Sequence, residues 1–380
     1  MKIGNNIVTE HIKRFIDLRI PVTTCNLRCQ YCYITQHRLF NAQVPELPYS
    51  GYELRKALSK ERLGGTCFLN LCGDGETLLP SKIVEYIQAL LEEGHYVGIV
   101  TNATTTQRFR DISNFPKELF SRLFFKFSYH YIELKKRNLL DAFFDNVLLM
   151  RNMGCSFTLE ITPHDELIPY IDELCSLAIE KTGALPHCTV ARDETVSGDL
   201  PILTKLSLDE YQKTWSKLHS SLFEYKYSIF GEKRKEFCYA GSWSCIIYLR
   251  DGIMKQCYKS IYNQNIFKDL HKPIRFIPIG NNCCEYHCYN GHAFLTWGAI
   301  PNLKAPNYGD VRNHICNDGS EWIYPQMKAF METKLHSSNK ELLRIQKCFV
   351  NSEMKMRKTK RLLTRYFLNG FKILNKFKKK

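Results

Sequence analysis

The sequence lacks any run of eighteen apolar residues, so no membrane span is predicted. It also has no apolar stretch after its first lysine, no internal repeat and no low-complexity linker. Without a secretory signal the protein is expected to stay in the cytoplasm, where thiols are kept reduced. Its 16 cysteines are therefore not expected to form disulfides; clustered cysteines indicate metal binding and scattered ones core packing.

Acidic residues are nearly missing from the end of the chain. Residues 351–380 hold eleven lysines and arginines against Glu353 alone, a charge of +10 out of the total of +15. The rest of the chain is only weakly basic, so the argument for a nucleic-acid partner rests on this segment. No recognised nucleic-acid module accompanies it, and nucleic acid is therefore not expected as a partner.

Short apolar strands alternate with helical periodicities over residues 15–192. Repeated strand–helix units indicate a parallel sheet with right-handed crossovers and ligand sites at the carboxyl ends of the strands. We predict an α/β fold, a partial barrel of six β/α units. The predicted strands lie at 16–22, 67–72, 96–101, 124–128, 156–161 and 187–191, and the helices near 50–62, 81–93, 105–120, 135–153 and 167–182.

The pattern changes at about residue 197. A predicted helix near 207–220 is followed by short segments rich in Cys, Gly, Tyr and Trp, and these give way to further helices from about residue 325. The chain is therefore divided into three predicted parts. These are a core domain at 1–200, a small cysteine-rich domain with little apolar core of its own at 201–320, and a basic helical tail at 321–380.

Three cysteines follow the first predicted strand with C-x3-C-x2-C spacing, at Cys25, Cys29 and Cys32. Three thiolates this close can hold three irons of a cubane cluster and leave the fourth iron open for a substrate or cofactor. A structural zinc site is the alternative, but it would usually have four ligands and C-x2-C pairs.

This loop resembles the radical S-adenosylmethionine (SAM) superfamily, with Tyr31 as the aromatic residue before the last cysteine. The resemblance implies a catalytic [4Fe–4S] cluster on Cys25, Cys29 and Cys32, with SAM bound to the open iron. It also implies reductive cleavage of SAM to a 5′-deoxyadenosyl radical that abstracts hydrogen from a substrate. An electron donor such as flavodoxin or ferredoxin would then be a partner.

A second match follows the second predicted strand, where Gly73-Asp74-Gly75-Glu76 resembles the superfamily's Gly-Gly-Glu motif. Glycine lets backbone approach a ligand closely, and Glu76 would meet the ammonium group of SAM. The structural alternatives are a turn for this motif, strand-end caps for Asn102 and Ser128, and a solvated side chain for Glu160. The residues proposed to contact SAM are Tyr31, Gly73, Gly75, Glu76, Asn102, Ser128 and Glu160, and His130 and His164 are candidate substrate contacts.

A second cysteine group begins with C-x13-G-x4-C spacing from Cys238 through Gly252 to Cys257. It resembles the auxiliary-cluster domains called SPASM and twitch, and Gly252 suits a hairpin turn between the two thiols. The complete SPASM run C-x2-C-x5-C-x3-C is absent, which favours the twitch type with one auxiliary [4Fe–4S] cluster. A four-cysteine zinc knuckle is the alternative. The implied ligands are Cys238, Cys257, Cys284 and Cys288, with Cys283 as the alternative to Cys284.

The remaining cysteines are predicted to be mostly structural. If the reaction is an epimerisation, Cys245 is the candidate hydrogen donor because it has no other assigned role. The cysteines interpreted as small buried hydrophobes are Cys67, Cys72, Cys155, Cys175 and Cys188.

The segment 290–301 resembles radical SAM proteins associated with bacterial polysaccharide biosynthesis. The leading hypothesis is therefore an oxidoreductase or epimerase acting on a sugar or aminocyclitol. A peptide-modifying or sulfatase-maturing enzyme is the alternative, disfavoured because strand one begins near Ile16 and leaves no room for an N-terminal peptide-binding module. The alternative outside the enzymes is a non-catalytic protein that is stabilised by bound metal and binds a membrane or nucleic acid.

Residues 361–377 predict an amphipathic basic helix, weakened by Gly370. Such a helix, within the tail at 355–380, can lie on an anionic membrane surface, which would make the cytoplasmic protein peripheral at the inner membrane face. Docking of the helix on the body of the protein is the alternative. The apolar positions of this helix are Leu363, Tyr366, Phe367, Phe371 and Leu374.

Overall fold

A computed structural model describes residues 10–196, 200–258, 260 and 262–377. In the last helix it describes the side chains of residues 344–361, 363 and 364. The predicted division of the chain includes 1–9, 197–199 and 378–380, which lie outside the described residues. The predicted apolar positions at 366, 367, 371 and 374 likewise lie outside the described side chains.

A nine-stranded sheet forms the centre of the fold, in the order β6-β5-β4-β3-β2-β1-β7-β8-β9. Strands β1 to β6 are parallel and lie side by side in chain order, β7 is parallel to β1, and β8 and β9 continue as antiparallel strands. The predicted α/β fold with an open six-strand parallel sheet is therefore confirmed. The strands are β1 (Arg14–Ile20), β2 (Cys67–Gly73), β3 (Tyr96–Thr101), β4 (Leu123–Ser128), β5 (Ser156–Ile161), β6 (His187–Cys188), β7 (Ser244–Tyr248), β8 (Ile253–Lys255) and β9 (Asn263–Asn265).

Helices connect the strands, and serine side chains cap several of them. Ser50 and Ser207 each form a capping box with the glutamate three residues later, which satisfies amide groups at the start of the helix. The helices are α1 (Tyr33–Gln36), α2 (Gly51–Ala57), α3 (Lys60–Leu63), α4 (Ile83–Glu92), α5 (Thr106–Ser113), α6 (Tyr131–Lys136), α7 (Leu140–Asn152), α8 (Ile171–Thr182), α9 (Leu208–Trp215), α10 (Ser221–Ser228), α11 (Gly291–Phe294), α12 (Pro325–Met331), α13 (Leu335–Ser338) and α14 (Arg344–Phe377).

Several predicted helices are shorter than expected or divided. The predicted helix at 105–120 ends at Ser113, because Pro116 disfavours helical backbone in the residue before it, and a 3-10 turn follows at Lys117–Arg122. The predicted helix at 135–153 is divided into α6 and α7 at Asn138, which has a φ of 54°. The strand predicted at 16–22 lies two residues earlier, at Arg14–Ile20.

One face of the sheet changes in character from the amino ends of the strands to their carboxyl ends. In the register of β1 and β2, Phe15 lies opposite Phe68, two residues further on Asp17 lies opposite Asn70, and then Arg19 lies opposite Cys72. Alternate residues of a strand share a face, so this face is aromatic at one end and polar at the other. The polar end is where a ligand site is expected in a parallel sheet.

The part of the chain that follows β6 is called the C-terminal segment below. Residues from this segment cover the aromatic end of that face. Trp297 and Tyr308 stack on each other with ring centroids 4.8 Å apart and pack against Phe15, Phe68 and Phe124. This segment shares its apolar core with the first part of the chain, and its strand β7 is bonded to β1. The division of the chain at residues 200 and 320 stays a prediction. No helix among the described residues is long and apolar enough to cross a membrane.

Candidate functional site

The loop after β1 is held against the turn after β2 by two backbone hydrogen bonds. The amide of Gly75 donates to the carbonyl of Val22, and the amide of Glu76 donates to that of Thr24 at 3.0 Å. A Cβ atom on Gly75 would overlap the carbonyl oxygen of Thr24. Glycine is therefore needed at this position for the two loops to approach each other.

The three cysteines of this loop lie at the carboxyl end of the sheet. Cys32 is the N-cap residue of α1, and its amide donates to the carbonyl of Cys29 at 3.2 Å. The sulfur of Cys25 accepts a long hydrogen bond from the amide of Leu27 at 3.4 Å. Burial raises the pKa of Cys25 to about 11 and also raises the pKa values of Cys29 and Cys32, so the free thiols are neutral at pH 7.

The carboxylate of Glu76 is buried and forms three hydrogen bonds. It accepts from the hydroxyl of Thr101 at 2.6 Å, the amide of Asn102 at 2.8 Å and the amide of Leu78 at 2.9 Å. Burial nevertheless raises the pKa of Glu76. A carboxylate has about four acceptor positions, so one remains for a cation such as an ammonium group.

Asn102 joins the end of β3 to the cysteine loop. Its side-chain amide donates to the side chain of Asn26 at 2.9 Å and points at the sulfur of Cys25 at 3.8 Å. Its side-chain oxygen accepts from the hydroxyl of Thr104 at 2.7 Å. The predicted strand-end residue Asn102 is thus adjacent to Cys25, the first residue of the cysteine triplet Cys25, Cys29 and Cys32.

A cavity of about 300 Å³ opens beside the triplet at the carboxyl ends of the strands. It brings together residues that are far apart in the sequence and that were predicted as candidate site residues. No fourth cysteine lines it among the described residues. The predicted site residues in its wall are Cys25, Cys29, Cys32, Tyr31, Gly73, Gly75, Glu76, Asn102, Ser128 and His130.

Tyr31 lies between the two histidines that follow β4 and β5. Its hydroxyl forms a short hydrogen bond with Nδ1 of His130, and its ring packs on that of His164 with centroids 4.3 Å apart. Burial, together with the neighbouring His164, lowers the pKa of His130 to about 4. His130 is therefore neutral at pH 7 and fixes the position of Tyr31.

Three predicted residues do not line the cavity, and one of them, His164, lies behind Tyr31 and packs on its ring. Glu160 instead forms an ion pair with the buried Arg312, whose Nε lies 3.3 Å from the carboxylate oxygen. Cys245 lies opposite Ile16 in the β7–β1 register, buried in the core near the amino end of β1. Its hypothetical role as a hydrogen donor therefore has no support from its position.

The second cysteine group gathers around the β7–β8 hairpin. Gly252 has a φ of 71° in the turn, as the sequence suggested, and the chain on either side carries Cys238 and Cys257. Burial, together with the neighbouring thiol of Cys283, raises the pKa of Cys238 to about 12. Burial and then the charges of Cys257, Cys238 and Cys283 also raise the pKa of Cys288.

The structure distinguishes the two adjacent cysteines of this group. Cys283 interacts electrostatically with Cys238, Cys257 and Cys288. Cys284 is exposed, and its sulfur faces the carboxylate of the next residue at 3.9 Å. The arrangement therefore favours Cys283 as the fourth thiol, whereas the sequence-based choice was Cys284.

The sequence interpretation missed the cations near the cavity. Arg192 lines it, and the ammonium group of Lys226 donates to the hydroxyl of Thr189 in its wall. Lys226 lies on α10 between Tyr225 and Tyr227, and nothing in the local sequence distinguishes it from a surface lysine.

No three Cys, His, Asp or Glu side chains among the described residues surround one point closely enough to hold a single metal ion. A cubane cluster is a different case, because each thiolate binds a separate iron.

No family model matches the chain, and no curated protein matches it. Among solved structures the chain is similar to SuiB of Streptococcus suis bound to S-adenosylmethionine, with 15% identity over 67% of this chain and a TM-score of 0.49. The match spans 64% of the length of SuiB, less than two thirds of that protein.

Two further solved structures show a similar degree of likeness. Native anSMEcpe with bound AdoMet is 14% identical over 93% of this chain and 100% of its own, with a TM-score of 0.42. BtrN in complex with AdoMet and 2-DOIA is 14% identical over 69% of this chain and 83% of its own, with a TM-score of 0.32. At such low identity we infer function from the residues of the site itself.

Proposed function

We propose that the chain is a radical SAM enzyme that holds a [4Fe–4S] cluster on Cys25, Cys29 and Cys32. One observation carries this proposal: the three thiols share a single cavity with the Gly75–Glu76 turn and Asn102, from three successive strand ends. A cavity of about 300 Å³ is in the range of small-molecule sites.

The donor set fits such a cluster. Thiolates are the usual protein ligands of iron–sulfur clusters, and the absence of a fourth cysteine from the described cavity wall would leave one iron open. When bound and reduced, the cluster would supply the electron that cleaves SAM and begins hydrogen abstraction. A structural zinc site would instead require a fourth ligand to close it.

The protein's own groups would bind and orient SAM. The remaining acceptor position of Glu76 would take a hydrogen bond from the ammonium group of SAM. Asn102 would fix the cysteine loop through Asn26, and the backbone at Gly75 would allow the ligand to approach. The hydrogen-bonded Tyr31–His130 pair would keep the loop's aromatic residue in the cavity wall.

A second [4Fe–4S] cluster on Cys238, Cys257, Cys283 and Cys288 is part of the proposal. Its support is that these four thiols act on one another electrostatically around the hairpin, in a region where burial disfavours free thiolates. Metal binding would replace those protons and relieve the cost of the buried charges. A zinc site with four thiolates is the alternative, and metal analysis distinguishes the two.

The substrate class is proposed at a coarser level. Hydrogen abstraction from a sugar or aminocyclitol, followed by oxidation or epimerisation, remains the leading hypothesis on the resemblance of the 290–301 segment. A peptide substrate remains the alternative. Flavodoxin or ferredoxin is proposed as the electron donor because SAM cleavage at the cluster needs one electron.

The first experiment compares wild type with Cys29→Ala after anaerobic reconstitution and reduction. Wild type should form 5′-deoxyadenosine from SAM, and Cys29→Ala should form none while keeping its cooperative unfolding transition. The control is Cys348→Ala, since Cys348 is exposed and does not line the cavity. Equal product from wild type and Cys29→Ala would refute the proposal.

We also propose that α14 rests on an anionic membrane surface. One side of its first half docks on the body: Asn351 exchanges hydrogen bonds with Asn281, and Met354 is buried against Gln256. The other side is apolar and open to solvent. The exposed apolar residues are Ile345, Phe349, Met356 and Leu363, each more than half exposed.

Those four positions share one helix face because their spacing of 4, 7 and 7 residues returns to the same side. Exposed Lys355 and Lys360 lie beside this face. An apolar stripe flanked by lysines matches the chemistry of an anionic bilayer surface. Docking of one side and membrane contact of the other are compatible.

Vesicle sedimentation tests this surface. Wild type should bind vesicles of phosphatidylcholine with phosphatidylglycerol, and the triple variant Ile345→Ser, Phe349→Ser and Met356→Ser should not. Tyr52→Ser, a change at an equally exposed aromatic residue elsewhere, is the control and should bind like wild type. Equal binding of the triple variant would refute membrane contact through this face.

A further inference from the structure

A group of cations, one of them buried and three partly buried, lies on the side of the sheet that carries the cavity. Lys126 is on β4, between Phe124 and Ser128, and therefore faces the same side as both. Lys226 comes from α10, Arg192 follows β6, and Arg312 comes from the C-terminal segment. Burial and then the charges of all four lower the pKa of His292, so the four cations lie near this one buried ring.

Carboxylates balance only part of this charge. Arg312 pairs with Glu160 at 3.3 Å, and Arg192 pairs with Glu194 at 3.4 Å. Neither Lys126 nor Lys226 has a carboxylate within ion-pair distance among the described residues. Two partly buried lysines therefore lack a counter-charge, and an anion would supply it.

The environment of Lys226 disfavours its charged form. Burial, together with repulsion from Arg192, Lys126 and Arg312, lowers the pKa of Lys226 to about 7, and the attraction of Glu160 opposes the shift only in part. The ammonium group has one hydrogen-bond partner among the described residues, the hydroxyl of Thr189. A bound anion would supply both charge and acceptors.

The lysine lies between the two cysteine groups. Thr189 and Arg192 line the main cavity beside Cys25, Cys29 and Cys32. Arg192 also lines a smaller hollow of about 20 Å³ together with Lys226, His292 and Cys288 of the second group. An anion entering from the main cavity would reach Lys226 past Thr189.

We propose that an anionic group of the substrate, a phosphate or a carboxylate, binds Lys226, Lys126 and Arg192 between the two cysteine groups. This inference rests on the proposed function in one respect: the bound ligand is identified as the substrate of the enzyme. The bound group would hold the rest of the substrate in the main cavity beside the triplet. It would also exclude neutral molecules of the same shape, because only an anion compensates the two lysines.

The test is calorimetric titration of the anaerobically reconstituted protein with inorganic phosphate and, separately, with acetate. Lys226→Met and Lys126→Met should each weaken binding of the preferred anion by about tenfold or more, because each removes a charged hydrogen-bond partner. Lys217→Met, at an exposed lysine of the same segment, should bind like wild type. Tighter binding of phosphate than acetate would identify a phosphorylated substrate, and the reverse a carboxylate.

The outcomes separate this inference from the proposed function, because SAM cleavage by wild type is measured on the same preparation. Wild type that cleaves SAM but binds both anions no better than Lys226→Met and Lys126→Met overturns the anion site alone. Wild type that binds an anion through these lysines but never cleaves SAM supports the site and overturns the radical enzyme. If Lys226→Met does not fold, the anion affinity of Lys126→Met alone tests the proposed site.

Discussion

The carboxylate of Glu76 accepts a hydrogen bond from the hydroxyl of Thr101 at 2.6 Å, which ties the turn after β2 to the end of β3. Because the backbone of the same turn bonds the cysteine loop, the two strand ends and the loop form one connected unit. Glu76 therefore has a structural part in addition to its proposed contact with SAM.

Glu76→Gln tests both parts. A glutamine keeps one acceptor oxygen, but its amide NH2 group faces one of the three groups that donate hydrogen bonds to Glu76. The free energy of unfolding should therefore fall by about 1–3 kcal/mol. SAM affinity should fall as well, because the ammonium group loses its counter-charge. Urea unfolding and SAM binding measure the two effects, and Glu118→Gln at an exposed site is the control. Unchanged SAM affinity would exclude Glu76 as a ligand.

Gly75→Ala should disrupt the contact between the two loops. Its Cβ would overlap the carbonyl oxygen of Thr24, so the free energy of unfolding should fall by about 1–3 kcal/mol and the iron content of the reconstituted protein should drop. Gly154→Ala is the matched control. Gly154 has a φ of 92° and nothing near its added Cβ, so that variant should show backbone strain of about 1–2 kcal/mol and full iron content. Equal iron content in both variants would contradict this account.

Cys283 and Cys284 form a natural pair of variants. Cys283→Ser should remove the second cluster, about four irons per chain, because Cys283 lies with Cys238, Cys257 and Cys288. Cys284→Ser should keep it, because that thiol is exposed. Iron and sulfide analysis measures the difference. The opposite result would restore the assignment made from the sequence.

His95 should make the fold sensitive to acid. Its Nδ1 accepts from the amide of Cys67 at 3.1 Å and its Nε2 donates to the carbonyl of Leu58 at 2.8 Å, so the neutral ring is bound. Burial lowers the pKa of His95 from 6.5 to about 4. The unfolded chain takes up a proton below about pH 6.5 and the folded chain only near pH 4, so stability falls as pH decreases through this range, by up to about 3 kcal/mol.

The measurement is the free energy of urea unfolding from pH 7 to pH 4. His95→Gln should be less stable than wild type at pH 7 but should lose less stability on acidification. His37→Gln at an exposed histidine is the control and should follow wild type. Parallel curves for wild type and His95→Gln would show that His95 does not cause the acid sensitivity.

The sequence was sufficient for the parallel sheet and for ten residues of the cavity wall, among them the three cysteines of the loop after β1. Buried apolar strands and a conspicuous C-x3-C-x2-C spacing are local signals, and parallel strands place their carboxyl ends together. That rule is why Asn102 and Ser128 could be chosen before their contacts were known, whereas Glu76 was chosen because its motif resembles the superfamily's Gly-Gly-Glu motif.

Contacts between distant segments could not be read from local patterns. Glu160 was expected to contact SAM. Its carboxylate instead forms an ion pair with Arg312, which lies more than a hundred residues later in the sequence. The choice between Cys283 and Cys284 depends on the path of one loop, which adjacent residues in a sequence do not reveal. Lys226 has the same limitation, since its charged surroundings come from β4, the loop after β6 and the C-terminal segment.

The central claim is that Cys25, Cys29 and Cys32 hold an iron–sulfur cluster that cleaves SAM. The most direct measurement is iron and sulfide per chain, with 5′-deoxyadenosine formation under reduction, in wild type and in a variant with all three cysteines changed to alanine. We predict about eight irons in wild type and about four in the variant, with product from wild type only. Zinc without iron in wild type, and no SAM cleavage, would contradict the account.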